Sequence, residues 1–271
     1  MNARRLAALS TIAIGMSFAL ASPKAAPASG ACFILHEIGV GEVRRSPSRT
    51  CGVRVSPQST FKIPHALAAL DAGVVSGVDE KIAYDGRPVD QPLWKQDHTL
   101  ATAMRYSVVW YFQEIAKRLG PAREREYLSR FDYGNRDSSS GLTTFWLGGS
   151  LEVSAEEELR FLTRLFAGDL PVRKTALDSV REILRQPAGA VVNATGVHSF
   201  GGQWAEGTVV SAKTGSGTSG NGNSVRWLVG HVRRGTRSWI FVSNIIGNDQ
   251  TPALAAVDQA ERALEEAHVL R

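Results

Sequence analysis

Residues 58–70 read QSTFKIPHALAAL and place two reactive groups, the Ser59 hydroxyl and the Lys62 amine, three positions apart at the start of an apolar run. A helix that begins near Ser59 would bury Ile63 and the leucines on one stripe, and positions i and i+3 share one side of an α or a 3₁₀ turn. Pro64 lacks an N–H donor, so it belongs to a first turn or follows a 3₁₀ lead-in. The sequence therefore predicts contact between hydroxyl and amine, with a helix-capping serine and a solvated lysine as the alternative.

The chain is long enough to bury a full hydrophobic core. It has 271 residues, of which 43% are hydrophobic and 21% are charged, and these values are typical of an ordinary globular protein. We expect one compact unit composed of up to two subdomains.

The first 28 residues are typical of a secretory signal peptide. Two arginines precede an apolar stretch at residues 6–20, and small residues of the Ala-x-Ala kind follow near Ala21 and Ala28. The apolar stretch is shorter than the ~20 residues of a spanning helix, which favours a cleaved leader over the alternative of a membrane anchor. Cleavage after Ala28 would remove three basic residues and lower the formal net charge from +5 to +2. The sequence thus predicts a periplasmic protein with no membrane attachment after cleavage.

The charges, histidines and cysteines narrow the classes of partner. The basic residues of the mature chain are dispersed rather than gathered in a stripe, so nucleic acid is not expected as a partner. The six histidines form no His-x-His-x-Asp or His-Glu-x-x-His array, so no metal centre is predicted. Cys32 and Cys51 are candidates for a disulfide in an oxidising compartment, although the sequence does not give the distance between their Cα atoms.

The order of the predicted elements indicates a sheet that is interrupted by helices. Residues 32–45 alternate in polarity and turn near Gly39, and residues 61–186 follow helical patterns that include a capping box at Ser154. Strands return in residues 207–246, and a last helix follows them. We predict an α/β (α+β) fold with a sheet-plus-helix subdomain, residues 29–60 and 187–271, and a helical subdomain, residues 61–186.

Three further motifs place polar groups where packing alone does not require them. Ser107 stands between two helical runs, a Tyr-Gly-Asn element at residues 133–135 follows a helix, and a Lys-Thr-Gly element at residues 213–215 ends a strand. Each has an ordinary explanation, namely a helix cap, a helix C-terminus with its turn, and a flexible loop. Their order and spacing after Ser59 and Lys62 are more informative than any one of them.

The four motifs together resemble those of the penicillin-recognising serine enzymes, and within that superfamily the chain is similar to the class D β-lactamases, the oxacillinases. The matching words are SPQSTFKIPHAL, WKQDHTLATAMRYSVVWYFQEIA, the Tyr-Gly-Asn element and FWLGGSLEVSAEEELRFL. The match covers nearly the whole mature chain. The resemblance implies an antiparallel β-sheet flanked by helices, an inserted all-helical subdomain, and an active site between the two.

The resemblance also implies roles for the reactive residues. Ser59 would be the nucleophile, Lys62 would be carried as a carbamate (N6-carboxylysine) and act as general base, and Ser107 would pass a proton to the β-lactam nitrogen. Lys213 would add positive charge, and the Trp146 indole would donate to the carbamate. Burial would favour the neutral Lys62 amine, which can react with carbon dioxide. No cofactor is implied beyond that carbon dioxide.

Other residues are implied in binding the substrate and its transition state. Backbone N–H groups of Ser59 and Ser216 would form the oxyanion hole, and the Tyr-Gly-Asn element would shape one wall. Val109, Thr214, Gly215 and Ser216 are the candidates for contact with the substrate.

One part of the family pattern is missing. Class D β-lactamases usually carry an arginine near the start of the last helix, where it pairs with the substrate carboxylate. Here that region reads TPALAAVDQAER, and its first basic residue is Arg262. Thr214, Ser216 and the backbone N–H groups of residues 217–220 are candidates to replace the arginine.

The sequence therefore predicts an exported enzyme that hydrolyses the β-lactam amide of penicillins through a serine acyl-enzyme and gives antibiotic resistance. A β-lactam-binding sensor domain and a penicillin-binding protein, each with slow deacylation, are the alternatives. The expected partner is a small-molecule β-lactam substrate, and the expected state is a monomer or weak dimer.

Overall fold

The computed structural model of the chain describes residues 29–46 and 49–271, so the predicted signal peptide lies outside the described residues. The strands within these ranges are β1 (Gly30–Glu37), β2 (Gly41–Arg45), β3 (Lys81–Ile82), β4 (His98–Thr99), β5 (Ala190–Asn193), β6 (Gly196–Ser199), β7 (Val209–Thr218), β8 (Ser224–Arg234) and β9 (Arg237–Gly247). The helices are α1 (Lys62–Asp71), α2 (Leu100–Arg105), α3 (Val109–Phe131), α4 (Ala155–Ala167), α5 (Lys174–Ile183) and α6 (Ala255–Glu266). Within the described ranges, no helix has the length and apolar character needed to cross a membrane.

Five strands form one antiparallel sheet in the order β2-β1-β9-β8-β7. Successive residues of β8 alternate between the two faces, as strand geometry requires. Val225 and Trp227 are buried together with residues of α1–α5, whereas Leu228 and Val232 are buried together with residues of α6. The structure therefore confirms the predicted antiparallel sheet with helices on both faces.

The segment between the two groups of strands carries α1–α5, in agreement with the predicted helical insertion. It also contains a short ribbon that was not predicted, in which β3 pairs with β4. Gly86, Pro88 and Pro92 lie between these two strands, and such residues exclude a continuous helix. The boundaries of the two subdomains stay a prediction.

The nucleophile segment begins α1 in the way the sequence predicts. A 3₁₀ turn at Gln58–Phe61 leads directly into α1, and Pro64 falls in the first turn of that helix. An N–H group at that position would have no acceptor within the helix, so the proline costs the helix no hydrogen bond. Ile63 and Leu67 are buried, and the 3₁₀ turn packs against β7. This packing places the N-terminal end of α1, with Ser59 in the turn before it, between the sheet and the other helices.

The β5–β6 hairpin has no counterpart among the sequence predictions. Each of its strands has only four residues, which is too short for polarity alternation to be recognised. The strands are joined through residues 194–195, and Gly196 has a φ of 114° that a residue with a side chain rarely adopts.

A disulfide joins the first strand to the segment that leads to the nucleophile. Cys32 of β1 and Cys51 of the 3₁₀ turn at Arg49–Gly52 are bonded, with their Cα atoms 5.1 Å apart. Both cysteines are buried in the hydrophobic cluster on the helical side of the sheet.

Candidate active site

The first pair of reactive groups, Ser59 and Lys62, is in contact. A hydrogen bond of 2.8 Å joins Lys62 Nζ and Ser59 Oγ, because the turn puts residues three apart on one side. Lys62 is fully buried, and its Nζ lies 5.5 Å from the centre of the Phe112 ring. Burial lowers the pKa of the Lys62 amine well below its usual range, and the charge of Lys213 lowers it further. A neutral amine beside a hydroxyl can take the hydroxyl proton, which is the arrangement of an activated nucleophile.

The second pair is Ser107 and Lys213. Lys213 Nζ donates a 2.9 Å hydrogen bond to Ser107 Oγ, and burial lowers the pKa of this amine to about 7. Ser107 has a φ of 56°, a left-handed value that turns the chain between α2 and α3 towards β7. Helix α3 starts after Val108 without a side-chain cap, so the alternative explanation of Ser107 as a helix cap is wrong. Because Lys213 donates to the Ser107 oxygen, the Ser107 proton can go to another acceptor.

Strand β7 lies directly against the turn that carries Ser59. Gly215 permits this approach, because a Cβ at that position would lie only 3.0 Å from the carbonyl oxygen of Pro57. Gln58, the residue before the nucleophile, has a φ of 52°, and its side-chain amide donates to Thr218 O at 3.1 Å. The backbone is therefore strained next to Ser59 and held by β7, and such strain is typical of functional sites.

The two pairs meet at one cleft with a volume of about 530 Å³. Ser59 and Ser107 line this cleft, and the two lysines are buried behind them. All the predicted substrate-contact residues line it as well, namely Val109, Thr214, Gly215 and Ser216. The other lining residues are Gln91, Trp94, Leu147, Asn193, Ala194, Thr195, His198, Trp227, Ala253, Leu254 and Val257. The sequence analysis did not identify this second set, because its residues are brought to the cleft by tertiary packing from several loops, the β5–β6 hairpin, β8 and α6.

Trp146 lies in a group of aromatic rings near Lys62. The group comprises Phe61, His65, Phe112, Phe145 and Trp146. The Trp146 carbonyl accepts a 3.1 Å hydrogen bond from the backbone N–H of Gln58, which ties Trp146 to the nucleophile turn. The buried indole Nε1 has no hydrogen-bond partner among the described residues. Buried N–H groups nearly always have an acceptor, so this one fits an acceptor that the described residues do not supply.

A buried carboxyl group that the sequence analysis did not identify lies behind the nucleophile. Glu158 of α4 accepts hydrogen bonds of 2.6 Å from Thr60 Oγ1 and from Tyr133 OH. Burial raises the pKa of Glu158 to about 7, against the opposing effect of these two hydrogen bonds. Its only sequence signal is a position within an acidic run after the capping residue Ser154, and that position falls on the buried side of α4.

The Tyr-Gly-Asn element does not form a wall of the cleft, in contrast to what the resemblance implied. Tyr133 is fully buried and donates to Glu158, and the Asn135 side chain donates to Ser150 O at 2.8 Å. Of the described residues that line the cleft, none belongs to this element. The element instead supports the segment behind Ser59, because its tyrosine and Thr60 share one carboxyl group.

Comparison with known proteins agrees with this geometry. Residues 37–265 match the family described as "Penicillin binding protein transpeptidase domain". The chain is 36% identical over 189 residues to β-lactamase OXA-48 of Klebsiella pneumoniae. The aligned region covers 70% of this chain and 65% of that protein. It is 31% identical over 228 residues to β-lactamase OXA-1 of Escherichia coli, and this alignment covers 80% of this chain and 76% of that protein. The chain belongs to the class D β-lactamases.

Solved structures of this family share the fold. A crystal structure of a class D β-lactamase from Bacillus subtilis superposes with a TM-score of 0.77 at 28% identity, over 90% of this chain and 93% of that chain. This likeness confirms the predicted fold class. The side of the cleft near α6 carries no charge, because its lining residues there are Ala253, Leu254 and Val257.

Proposed function

We propose that this class D β-lactamase hydrolyses the β-lactam amide of penicillin-type antibiotics through an acyl-enzyme on Ser59, and thereby gives antibiotic resistance. The observation that carries the proposal is the convergence of two serine–lysine pairs on one cleft, with separations of 2.8 Å for Ser59 and Lys62 and 2.9 Å for Ser107 and Lys213. The relatives that match the chain are themselves β-lactamases, which supports the same activity.

Acylation requires a base for the nucleophile and an acid for the leaving nitrogen. Lys62 takes the Ser59 proton while Ser59 Oγ attacks the β-lactam carbonyl carbon. Ser107 then gives its proton to the ring nitrogen as the C–N bond breaks, while the charge of Lys213 stabilises the Ser107 oxygen. The proton that Lys62 took from Ser59 passes to Ser107, so Ser107 is restored and Lys62 is again free to act as a base. The backbone N–H groups of Ser59 and Ser216 are the donors for the developing oxyanion.

We further propose that Lys62 is N-carboxylated. Two observations support this modification. The Lys62 amine is buried with a lowered pKa, and the buried Trp146 Nε1, in the aromatic group that includes Phe112 beside Lys62, has no hydrogen-bond partner among the described residues. When bound, carbon dioxide supplies Lys62 with a carboxylate base in place of an amine. Trp146 would hold that carboxylate through its indole N–H.

Turnover depends on the second half of the reaction. A base at Lys62 takes a proton from a water molecule while the water oxygen attacks the acyl carbon. The ester C–O bond then breaks, and the base returns that proton to Ser59 Oγ, which restores the free serine. A sensor domain or a penicillin-binding protein would be acylated in the same way and would keep the acyl group. The rate of deacylation therefore separates the proposed function from these alternatives.

Nitrocefin hydrolysis by the purified mature chain tests the proposal, with Ser59→Ala as the control. Mass spectrometry after brief exposure to a penicillin should find an adduct on the peptide that contains Ser59 and none in the control. An adduct that persists without turnover would favour a sensor or a penicillin-binding protein. An adduct at another residue, or neither adduct nor turnover, would contradict the proposal.

We also propose that the chain is exported and that its signal peptide is cleaved after Ala21 or Ala28. The disulfide between Cys32 and Cys51 supports an oxidising compartment. N-terminal sequencing of periplasmic protein should find one of these new termini, and periplasmic protein that begins at Met1 would be evidence against cleavage.

A further inference from the structure

The cleft of this chain lacks a charged partner for the substrate carboxylate at the place where class D β-lactamases usually have one. Helix α6 begins at Ala255, and the cleft residues on its side are uncharged. Arg262 is exposed and lies seven positions into the helix, about 10 Å further along its axis. Helix α6 therefore supplies no charged partner for a substrate carboxylate on this side of the cleft.

Arg226 of β8 emerges next to this part of the cleft. It is paired with Ser216 in the ladder between β7 and β8. Directly opposed residues of antiparallel strands have their side chains on the same face of the sheet. Since Ser216 lines the cleft, Arg226 lies beside the cleft wall on the face covered by α6.

The Arg226 guanidinium joins two segments that run directly into the lining of the cleft. Its Nη1 donates a hydrogen bond of 3.1 Å to Gly217 O, near the end of β7. Its Nη2 donates a hydrogen bond of 3.1 Å to Thr251 O, and its Nε donates one of 3.3 Å to Pro252 O. Residues 251–252 directly precede the cleft residues on the α6 side. The guanidinium is therefore fixed between two segments whose neighbouring residues, Ser216 and Ala253, line the cleft.

Every acceptor of Arg226 is an uncharged carbonyl group. A further bond of 3.0 Å goes to Val225 O, and within the described part of the chain no carboxylate forms an ion pair with this guanidinium. A guanidinium has five N–H groups, so these four contacts leave one N–H of Nη2 without an acceptor among residues 29–46 and 49–271. Arg226 is also half-buried, and water screens its charge less than it screens an exposed charge.

We propose that Arg226 recognises the substrate carboxylate in this chain, in place of the arginine that class D β-lactamases usually carry on the last helix. The inference rests on the proposed function, because it concerns the substrate of the same cleft. The carbonyl contacts hold the guanidinium in place without neutralising it. The remaining N–H and the positive charge favour an anion beside Ser216 and Thr214, whose side chains supply hydroxyl donors.

Hydrolysis of benzylpenicillin and of its methyl ester separates recognition of charge from support of the fold, because the ester keeps the β-lactam ring and lacks the negative charge. We expect Arg226→Met to lower kcat/KM for the acid about 10- to 100-fold, mainly through KM, and to lower it for the ester less than about 3-fold. Arg226→Lys should fall between the parent and Arg226→Met, because it keeps the charge and loses the planar fork. Added salt should weaken hydrolysis of the acid by the parent more than by Arg226→Met.

Arg262→Met is the matched control, since it removes the same charge from an exposed position of α6. We expect it to leave both substrates unchanged. An equal loss for acid and ester in Arg226→Met would mean that Arg226 only supports the cleft walls, and would overturn the inference. A selective loss of acid hydrolysis in Arg262→Met, with Arg226→Met unaffected, would overturn it too. A parent that is neither acylated by nor active on either compound would contradict the proposed function itself, and this inference with it.

Discussion

The Nζ atom of Lys213 lies 2.9 Å from the Oγ atom of Ser107, and these residues come from a strand and from a turn between two helices. A second buried lysine, Lys62, contacts the other serine of the cleft. Burial lowers the pKa of both amines, well below the usual range for Lys62 and to about 7 for Lys213. Burial thus favours the neutral form of Lys62, and the charge of Lys213 is present below about pH 7, which is the pairing of base and cation that acyl transfer uses.

The lowered pKa of Lys213 predicts a decline of activity at basic pH. The pKa falls from 10.5 to about 7, so the cation is present below about pH 7 and is lost above it. We expect kcat/KM for a penicillin, which reports the free enzyme, to fall as the pH rises through this value. Lys213→Arg should move the decline to higher pH, because a guanidinium keeps its proton. Lys213→Met should lower kcat/KM about 10- to 100-fold, and unchanged kinetics in that variant would remove Lys213 from the site.

Carboxylation of Lys62 predicts a dependence on bicarbonate. A carbamate forms from a neutral amine and is lost when it is protonated, so activity should fall at acid pH and recover when bicarbonate is added. Trp146→Phe removes the indole N–H and keeps an aromatic ring. We expect this variant to keep part of the acylation rate, to deacylate more slowly, and to depend more on bicarbonate than the parent, as measured by burst and steady-state nitrocefin kinetics.

Trp204→Phe provides the control for this experiment. Its indole N–H donates to Phe200 O at 2.8 Å, and the residue belongs to the hydrophobic cluster on the α6 side of the sheet. We expect its bicarbonate dependence to equal that of the parent. Turnover that is indifferent to bicarbonate in both the parent at low pH and Trp146→Phe would mean that Lys62 acts as a simple amine or that another group is the base.

Local spacing predicted the first reactive pair, and tertiary structure decided the rest of the site. Ser59 and Lys62 are three residues apart on a turn, so their contact follows from helix geometry alone. Ser107 and Lys213 are 106 residues apart, and only the resemblance to a family connected them. Glu158 was not identified, because an acidic residue in a run of three normally indicates a solvated helix end.

Arg226 shows most clearly what the sequence could not reveal. An arginine in a strand that follows a polar turn is usually a solvated residue on the surface of a sheet. Its acceptors, Gly217 and residues 251–252, lie on different elements, so its half-buried position depends on the packing of α6 against β8. The prediction that the Tyr-Gly-Asn element forms a wall of the cleft was also wrong because it depended on tertiary packing. That packing directs Tyr133 towards Glu158.

The disulfide predicts a measurable part of the stability. The bond between Cys32 and Cys51 closes a loop with a sequence separation of 19. In the chain-entropy account a loop of this size stabilises the folded protein by about 3 kcal/mol, because the unfolded chain has fewer conformations. We expect the double variant Cys32→Ala/Cys51→Ala to lose about that free energy of unfolding in urea titrations. Reduction of the parent should have a similar effect, and equal stability of the oxidised and reduced parent would contradict the prediction.

Glu158 predicts that stability falls as the pH rises. Burial raises its pKa from 4.5 to about 7, so the folded protein holds this proton more tightly than the unfolded chain does. The protonated group therefore favours folding fully below about pH 4.5, and this contribution is lost as the pH rises through about 7. A pKa difference of this size corresponds to about 3 kcal/mol.

Glu158→Gln removes the titration, because the glutamine oxygen can still accept from Thr60 and Tyr133 and the side chain cannot ionise. Its amide N–H groups replace Oε2, which has no hydrogen-bond partner among the described residues, and this adds a difference that does not depend on pH. We expect the melting temperature of the variant to rise by about 5–10 °C relative to that of the parent between about pH 5 and about pH 8. Glu206→Gln removes an exposed carboxyl group and should follow the parent at every pH. A difference between Glu158→Gln and the parent that stays constant from about pH 5 to about pH 8 would show that Glu158 titrates alike in the folded and unfolded chains. The carboxyl group beside Thr60 would then be an ordinary hydrogen-bond acceptor, without the cost of a buried charge.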